Sequence, residues 1–392
     1  MKICSKGVWD DSLPGITFDE NGVSNFGKLQ EKMMHEYPRG EQGTKDWEQL
    51  VQDMKTAGRG KKYDCIVGVS GGVDSSYLLH IASRYGLRPL AVNLDNGFNS
   101  EVAVQNIFKV TTKLKIDLET YVVDYEEMKD LLRAYMKAAI PWIDAPTDLA
   151  IKATMYKIAN QEGIKYILRG NDFRSEGKQP KEWTYADAKQ LLFIHKKFGS
   201  GVRLKTYPLL TLPKMIYSGL LKGIRDIRPY YFLDYQKQEA KKMLMDEYDW
   251  KDYGGHHHEN LFTKFAMAYW LPEKFGIDKR KINLSAQVLS GALSRAEAMI
   301  RLSQPFAPKE ELENTREYVM KKLELSPDEF ATIWKSENKN AFDYPSNYSL
   351  MFRLVDTFSP LLKKFYSFKP MSITAREVID GTAEPVRLFK SN

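Results

Sequence analysis

The sequence predicts an α/β fold: a doubly wound parallel sheet with a mostly helical C-terminal domain and a short N-terminal segment. Three observations carry that expectation. In the middle of the chain, short apolar runs alternate with longer stretches whose apolar residues recur at helical spacing, the pattern of strands joined by crossover helices. A glycine-rich turn, SGGVDSS at 70–76, follows directly on the first of those runs. From about residue 234, the stretches DYQKQEAKKMLMDEYDW, ENLFTKFAMAYWLPEKF and APKEELENTREYVMKKLEL all show helical spacing.

Taken in order, residues 65–69 (CIVGV) form the first strand, and Val73, Tyr77, Leu78 and Ile81 then recur as one face of a helix. RPLAVNL (88–94) is the second strand, with Asp95 at its end. Residues 100–114 read as a helix, 118–124 (LETYVVD) as a strand, and EEMKDLLRAYMKA and TDLAIKATMYKIANQ as two helices. KYILRGND (165–172) closes the series as a strand. The expected division is an N-terminal segment with a lead-in helix at 1–60, a sheet domain at 61–232, and a helical substrate or partner domain at 233–392.

Composition sets the outer limits. With 392 residues, 43% of them hydrophobic, the chain has ample material for a large core. No run of about 18 apolar residues occurs, so no membrane span is expected. The opening MKICSKGVWDD has no apolar core of signal-peptide type, and the expected location is cytoplasmic. Two cysteines, Cys4 and Cys65, do not make a disulfide framework. A formal net charge of +7 favours anionic partners without choosing among nucleotides, sugar nucleotides and nucleic acid.

In an open parallel sheet, ligands bind beyond the carboxyl ends of the strands. Ser70, Gly71, Gly72, Val73, Asp74, Ser75 and Ser76 stand at such an end and open a helix. The glycines let the backbone turn tightly and bring N–H groups close to a ligand. The helix N-terminus adds partial positive charge, and the three serines add hydroxyls. Together these make an anion site, most naturally for phosphate. The alternative is a plain strand-to-helix turn, in which Asp74 is only a helix cap.

The motif lacks the terminal lysine of G-x-x-x-x-G-K-[ST] and does not match G-x-G-x-x-G. It resembles the PP-loop of the ATP pyrophosphatases, which cleave ATP between the alpha and beta phosphates. The resemblance implies that ATP and Mg2+ are used, that the loop holds the leaving pyrophosphate, and that Asp74 helps hold the magnesium. Asn93 and Asp95, at the end of the next strand, become candidates for adenine or ribose contacts. Gly170 would allow close approach to the nucleotide, and Asn171, Ser175 and Glu176 would lie within reach of phosphates or magnesium.

Outside the loop, GITFDENGVSNF, KKYDCIVGVSGGVDSSYLLH, LDNGFNSEVAVQNI, YGGHHHENLFTKFAMAYWLPEKFGIDKRK and LSGALSRAEAM together resemble the N-acetyl sugar amidotransferases, in order over roughly residues 1–300. That resemblance implies conversion of an acetamido group on a sugar nucleotide or nonulosonic acid to an acetamidino group, in bacterial surface-polysaccharide (lipopolysaccharide O-antigen) biosynthesis. It implies an ammonia supply from a separate glutaminase subunit. A homodimer is compatible with it. Members of the family often carry two C-x-x-C pairs near the N-terminus, spacing that suits a structural zinc. Here only Cys4 remains of the four thiolates, so no zinc site is expected, and Trp9, Ile16, Phe18 and Phe26 are the residues expected to hold the segment by packing.

The same resemblance draws attention to residues 253–265. His257, His258, Glu259 and Lys264 are candidates to bind substrate or pyrophosphate or to accept a proton from incoming ammonium. Neighbouring histidines on a helix point about 100° apart, which argues against one metal site made of His256–His258. Arg280 and Lys281 are either anion contacts or a solvated charge run. Trp142, Trp183, Tyr253 and Trp270 are core residues or sugar platforms. Residues 174–222 hold ten Lys/Arg against three Asp/Glu, suited to an anionic sugar nucleotide or to RNA. No RNA-binding motif accompanies them, and no nucleic-acid partner is expected. The competing functions are a PP-loop enzyme that modifies tRNA, marked by a reactive cysteine, and a catalytically silent nucleotide-binding partner.

Overall fold

The computed structural model describes residues 2–252, 259–351, 353, 354 and 357. Five strands, β1 (Cys65–Gly68), β2 (Pro89–Asp95), β3 (Leu118–Val122), β4 (Tyr166–Leu168) and β5 (Arg225–Ile227), form one sheet in the order β3-β2-β1-β4-β5. Every pairing is parallel. The chain winds from β1 out to β3, then crosses back to β4, so the topological switch point lies between β1 and β4. That is where an open sheet leaves a crevice at its carboxyl edge.

The burial of each strand follows its place. Central β2 (PLAVNLD) is buried along nearly its whole length and reads as a continuous apolar run. Edge strand β3 alternates exposed and half-buried residues. The fourth expected strand is shorter than its apolar run suggests, because the chain leaves the sheet at Arg169-Gly170. The fifth strand, Arg-Asp-Ile, was not expected: three residues with two charges give no periodic signal, and only pairing with β4 makes them a strand.

Helices α1 (Asn25–Glu36), α2 (Glu41–Ala57), α3 (Val73–Arg84), α4 (Glu101–Leu114), α5 (Tyr125–Lys137), α6 (Ala145–Gln161) and the single turn α7 (Phe173–Glu176) surround the sheet. One face packs Val67 and Leu168 against Leu78 and Leu79 of α3, Met54 of α2 and Leu244 of the helix Lys237–Tyr248. The other face packs Ile66 and Ile167 against Met155 and Ile158 of α6. Covering both faces is what makes the sheet doubly wound.

A third core joins α5 to the C-terminal helices through Leu131, Tyr135, Phe262, Phe265 and Trp270. Trp142, Trp183 and Trp270 are all buried here, which removes them as open sugar platforms. The N-terminal segment docks on the same core. Trp9 and Phe26 are buried in it, with Ile16 and Phe18 packed against it. Each buried aromatic of this size removes roughly 150–250 Å² from water, enough to anchor a short segment. Its Cys4 sulfur accepts a hydrogen bond from the Ser24 N–H at 3.3 Å. Lys281 ties the segment to the helix Arg280–Leu289, pairing with Asp10 at 2.6 Å and donating to Ser12 Oγ at 2.9 Å. Arg280 is held by Asp278 at 2.7 Å and by the carbonyls of Arg301 and Gln304. Both residues are therefore structural, neither anion contacts nor a solvated run.

Candidate functional site

The Gly-rich loop lies at the switch point. Gly71 takes φ +81°, a left-handed conformation that suits glycine, and a Cβ there would collide with the Ala103 carbonyl oxygen at the start of α4. Its own carbonyl accepts from Trp250 Nε1 at 3.0 Å and from Asn106 Nδ2 at 3.4 Å. Gly72 caps α3 with no side-chain hydrogen bond, so no capping oxygen competes for the first-turn amides. Ser75 Oγ accepts from the Ser70 N–H at 3.2 Å and donates to the Gly72 carbonyl at 3.3 Å, which fixes the loop from within. A helix N-terminus with open amides, framed by hydroxyls, is suited to an anion.

Asp74 sits in the first turn of α3, part-exposed. Its Oδ2 pairs with Lys237 at 2.9 Å, and its Oδ1 accepts from the Tyr235 hydroxyl. Its backbone carbonyl accepts from the Tyr230 hydroxyl at 2.6 Å. Tyr230 and Tyr235 stack with ring centroids 4.0 Å apart. Burial, then the Asp74 carboxylate, pushes both phenols far above their ordinary range, so they act as hydrogen-bond donors only. Burial pulls the Lys237 ammonium down, but Asp74 outweighs it and holds the lysine above its usual value. Tyr230, Tyr235 and Lys237 were not singled out from the sequence. DYQKQEA carries no turn or motif signal, and these groups reach Asp74 only through the fold.

Gly170, just beyond β4, abuts the same turn: a Cβ there would lie 2.9 Å from the Asp74 carbonyl carbon and 3.2 Å from the Ser75 nitrogen. Its smoothness thus serves backbone-to-backbone approach between β4 and α3. Asn171 Nδ2 donates to Glu176 Oε2 at 3.1 Å. Between them, buried Asp172 caps α7 and pairs with Arg39 at 3.0 Å. Burial raises the Asp172 carboxyl to about 6, against the pull of Arg39. Arg174, which donates to the Tyr37 and Tyr231 carbonyls, is lowered by burial to about 10.

On β2, Asn93 is buried and Asp95 Oδ1 accepts from the Gly97 N–H at 2.9 Å, closing the turn that follows. That turn is where the C-terminal part meets the sheet. The Ser100 N–H donates to the Glu259 carbonyl at 2.9 Å, and Asn260 Nδ2 donates to Asn96 Oδ1 at 3.1 Å. Asn260 also caps the helix Leu261–Phe265. This contact carries Glu259 to the loop, where its Oε1 lies 3.5 Å from Ser70 Oγ. Lys264 instead pairs with Glu311 at 2.6 Å. His257, the His256–His258 cluster and Tyr253 lie outside the described residues.

Both cysteines are buried, and burial pushes the Cys65 thiol up, away from reactive thiolate. Among the described residues no group of three or more His, Cys, Asp and Glu has the geometry to hold a metal by itself. Asp74 has one carboxylate oxygen on the Lys237 ammonium and the other on the Tyr235 hydroxyl.

A parallel sheet that presents SGGVDSS at its switch point defines a PP-loop protein of the ATP-using synthetase class. Residues 64–171 match the asparagine synthase family, and residues 259–357 match the family described as LPS biosynthesis protein WbpG-like, C-terminal domain. Together the two matches support the WbpG-like PP-loop family. An uncharacterized protein of Methanocaldococcus jannaschii is 26% identical over 285 residues, 71% of this chain and 86% of that one. Among solved structures, NMN synthetase from Francisella tularensis is 15% identical, with a TM-score of 0.27, covering 59% of this chain and 94% of that one. NH3-dependent NAD synthetase from Campylobacter jejuni is 11% identical, with a TM-score of 0.30, covering 77% and 97%. Among the described residues no helix is long and apolar enough to cross a membrane.

Proposed function

We propose that the protein is the synthetase of an amidotransferase that converts an acetamido group of a sugar nucleotide or nonulosonic acid to an acetamidino group. The observation that carries this reading is the contact between Ser70 of the loop and Glu259, which opens the WbpG-like region. It brings an ATP-type loop and a lipopolysaccharide-biosynthesis domain to one crevice.

An amide oxygen is a poor leaving group. Its attack on the alpha phosphate of ATP forms an O–P bond, breaks the bond to pyrophosphate, and gives an imidate with AMP as the leaving group. Ammonia then adds to the imidate carbon, a proton is lost, and AMP departs. Such chemistry asks for alignment, charge neutralisation and exclusion of water rather than a covalent intermediate on the protein. In this reading, Ser70, Gly71, Gly72, Val73, Ser75 and Ser76 hold pyrophosphate. Asp74 and Lys237 position it, with Asp74 and Glu176 the carboxylates nearest the accompanying Mg2+. Asn93 and Asp95 border the adenosine, and Asn171 the phosphates. Glu259 takes up a proton from ammonium in this reading. Lys264, already paired with Glu311, acts by holding its own helix against the helix Lys309–Lys322.

A turnover mixture of the full chain with ATP, Mg2+, ammonium and diacetamido sugars is expected to yield AMP and pyrophosphate by phosphorus NMR. The sugar product is expected to be lighter by about one mass unit, the exchange of oxygen for NH. ADP with inorganic phosphate would refute the reading. AMP formation that depends on tRNA would favour a tRNA-modifying enzyme, against which the buried thiols stand.

A further inference from the structure

The carboxyl ends of β4 and β5 carry a second group of charges, on the side of the sheet covered by α6. Arg169 follows β4 and Arg228 follows β5. The register Leu168↔Ile227 brings these two residues side by side, and the pleat puts Asp226 on the same face. Lys152, in the second turn of α6, lies within electrostatic reach of all three.

Asp226 is taken by Arg169 at 2.8 Å. Among the described residues neither Lys152 nor Arg228 has a carboxylate in ion-pair contact. Among the described residues, the Lys152 ammonium makes a hydrogen-bond contact with the thioether sulfur of Met215, at 3.7 Å. The Arg228 guanidinium faces the Tyr231 ring at 5.8 Å; burial works against its charge, but Tyr231, Asp226 and Glu176 hold it above its ordinary range. Three other cations around the crevice have partners: Lys237 with Asp74, Arg39 with Asp172, Lys264 with Glu311. Burial pushes the Lys152 ammonium below its ordinary range, and Arg169 adds to that. A lysine ammonium held this way costs free energy unless an anion completes the site.

The loop of residues 70–76 opens from the α3 side of the crevice, and Lys152 and Arg228 stand on the α6 side. Resting on the function proposed above, we propose that Lys152 and Arg228 form an anion subsite for the charged handle of the acetamido sugar. That handle is the diphosphate of a sugar nucleotide or the carboxylate of a nonulosonic acid. With both ends of the crevice anionic, the neutral acetamido group is left between them, beside the alpha phosphate.

The test is calorimetric titration of the full chain, saturated with a non-hydrolysable ATP analogue, using two probes. UDP-N-acetylglucosamine carries a diphosphate, and N-acetylneuraminate carries only a carboxylate. Wild type is expected to bind one of them saturably, and which one identifies the handle. Arg228→Gln and Lys152→Met are each expected to weaken that binding at least tenfold, with the affinity for the ATP analogue unchanged within twofold. Lys152→Arg, which keeps the charge, is expected to retain most of it, and circular dichroism melts report folding of each variant. The proposal is overturned if neither probe binds wild type, if the variants bind as wild type does, or if the probe competes with the ATP analogue. Competition would mean that these cations hold the nucleotide. Failure to release AMP and pyrophosphate would refute the proposed reaction and leave this binding result standing.

Discussion

At the residue scale, Asp74 concentrates the argument. It holds Lys237, accepts from Tyr235, and starts the helix whose amides face the crevice. Asp74→Asn keeps an acceptor for Tyr235 but loses the charge that pairs Lys237. It is expected to lower pyrophosphate release by about 100-fold or more, the scale of removing a preorganised electrostatic group. The melting temperature is expected to change by little, since an exposed or part-exposed pair contributes about 0–1 kcal/mol. Near-wild-type release would make Asp74 a cap and nothing more. Lys279 gives a second expectation at this scale. Its ammonium lies over the Trp142 ring at 4.0 Å, and burial lowers it from 10.5 to about 8. Between about pH 8 and 10 the unfolded chain binds this proton and the folded chain does not. Stability from this group therefore rises with pH across that window. Urea melts from pH 7.5 to 10 are expected to show a rising contribution that Lys279→Met removes; equal slopes for the two proteins would contradict it.

Elements decide how tightly the loop can be built. Gly71 combines a left-handed φ with a wall, the Ala103 carbonyl of α4. Gly60 has φ +75° and open space around its Cβ position. Gly60→Ala should therefore cost only backbone strain, about 1 kcal/mol. Gly71→Ala should cost about 2–3 kcal/mol, because α3 and α4 must separate, and should weaken ATP binding with it. Denaturant midpoints of the two variants check this, and equal losses would mean that the wall yields. The same element contact explains what was legible beforehand. SGGVDSS could be read locally as a loop at the end of a strand, because glycine spacing and helix-start chemistry are properties of a few adjacent residues. That Gly71 has to be bare against α4, and Gly170 against α3, depends on elements thirty to a hundred residues away.

At the scale of the whole molecule, the N-terminal segment, the sheet and the C-terminal helices share cores and ion pairs. Asp10–Lys281 joins the first of these to the last, and Ser70–Glu259 joins the second to the last. In the proposed reaction, ammonia must reach the crevice between these parts. Cys65 is buried with its thiol pushed up, and Cys4 is bonded to Ser24. Neither is set up for glutamine hydrolysis. Turnover is therefore expected with high ammonium alone, and with glutamine only after a glutaminase subunit is added. The variant with both cysteines changed to serine should keep the ammonium-driven rate. Glutamine-dependent turnover by this chain alone, lost on removing either thiol, would reveal a built-in glutaminase.

What the sequence determined by itself is what short-range chemistry writes: four of the five strands, the crossover helices between them, and the loop at 70–76. Apolar periodicity and glycine spacing depend on neighbours along the chain, so they are visible without a fold. Strand β5 was invisible because Arg-Asp-Ile has no pattern and becomes a strand only when β4 supplies its hydrogen bonds. Arg280 and Lys281 looked available in the sequence and proved to be held by Asp278 and Asp10. Lys237 had no signal at all and came to lie 2.9 Å from Asp74. A charge declares itself in the sequence, but its partner does not. Pairing is decided by which elements the cores bring together, and a charge with no carboxylate in ion-pair contact among the described residues, as with Lys152, can be recognised only from the fold.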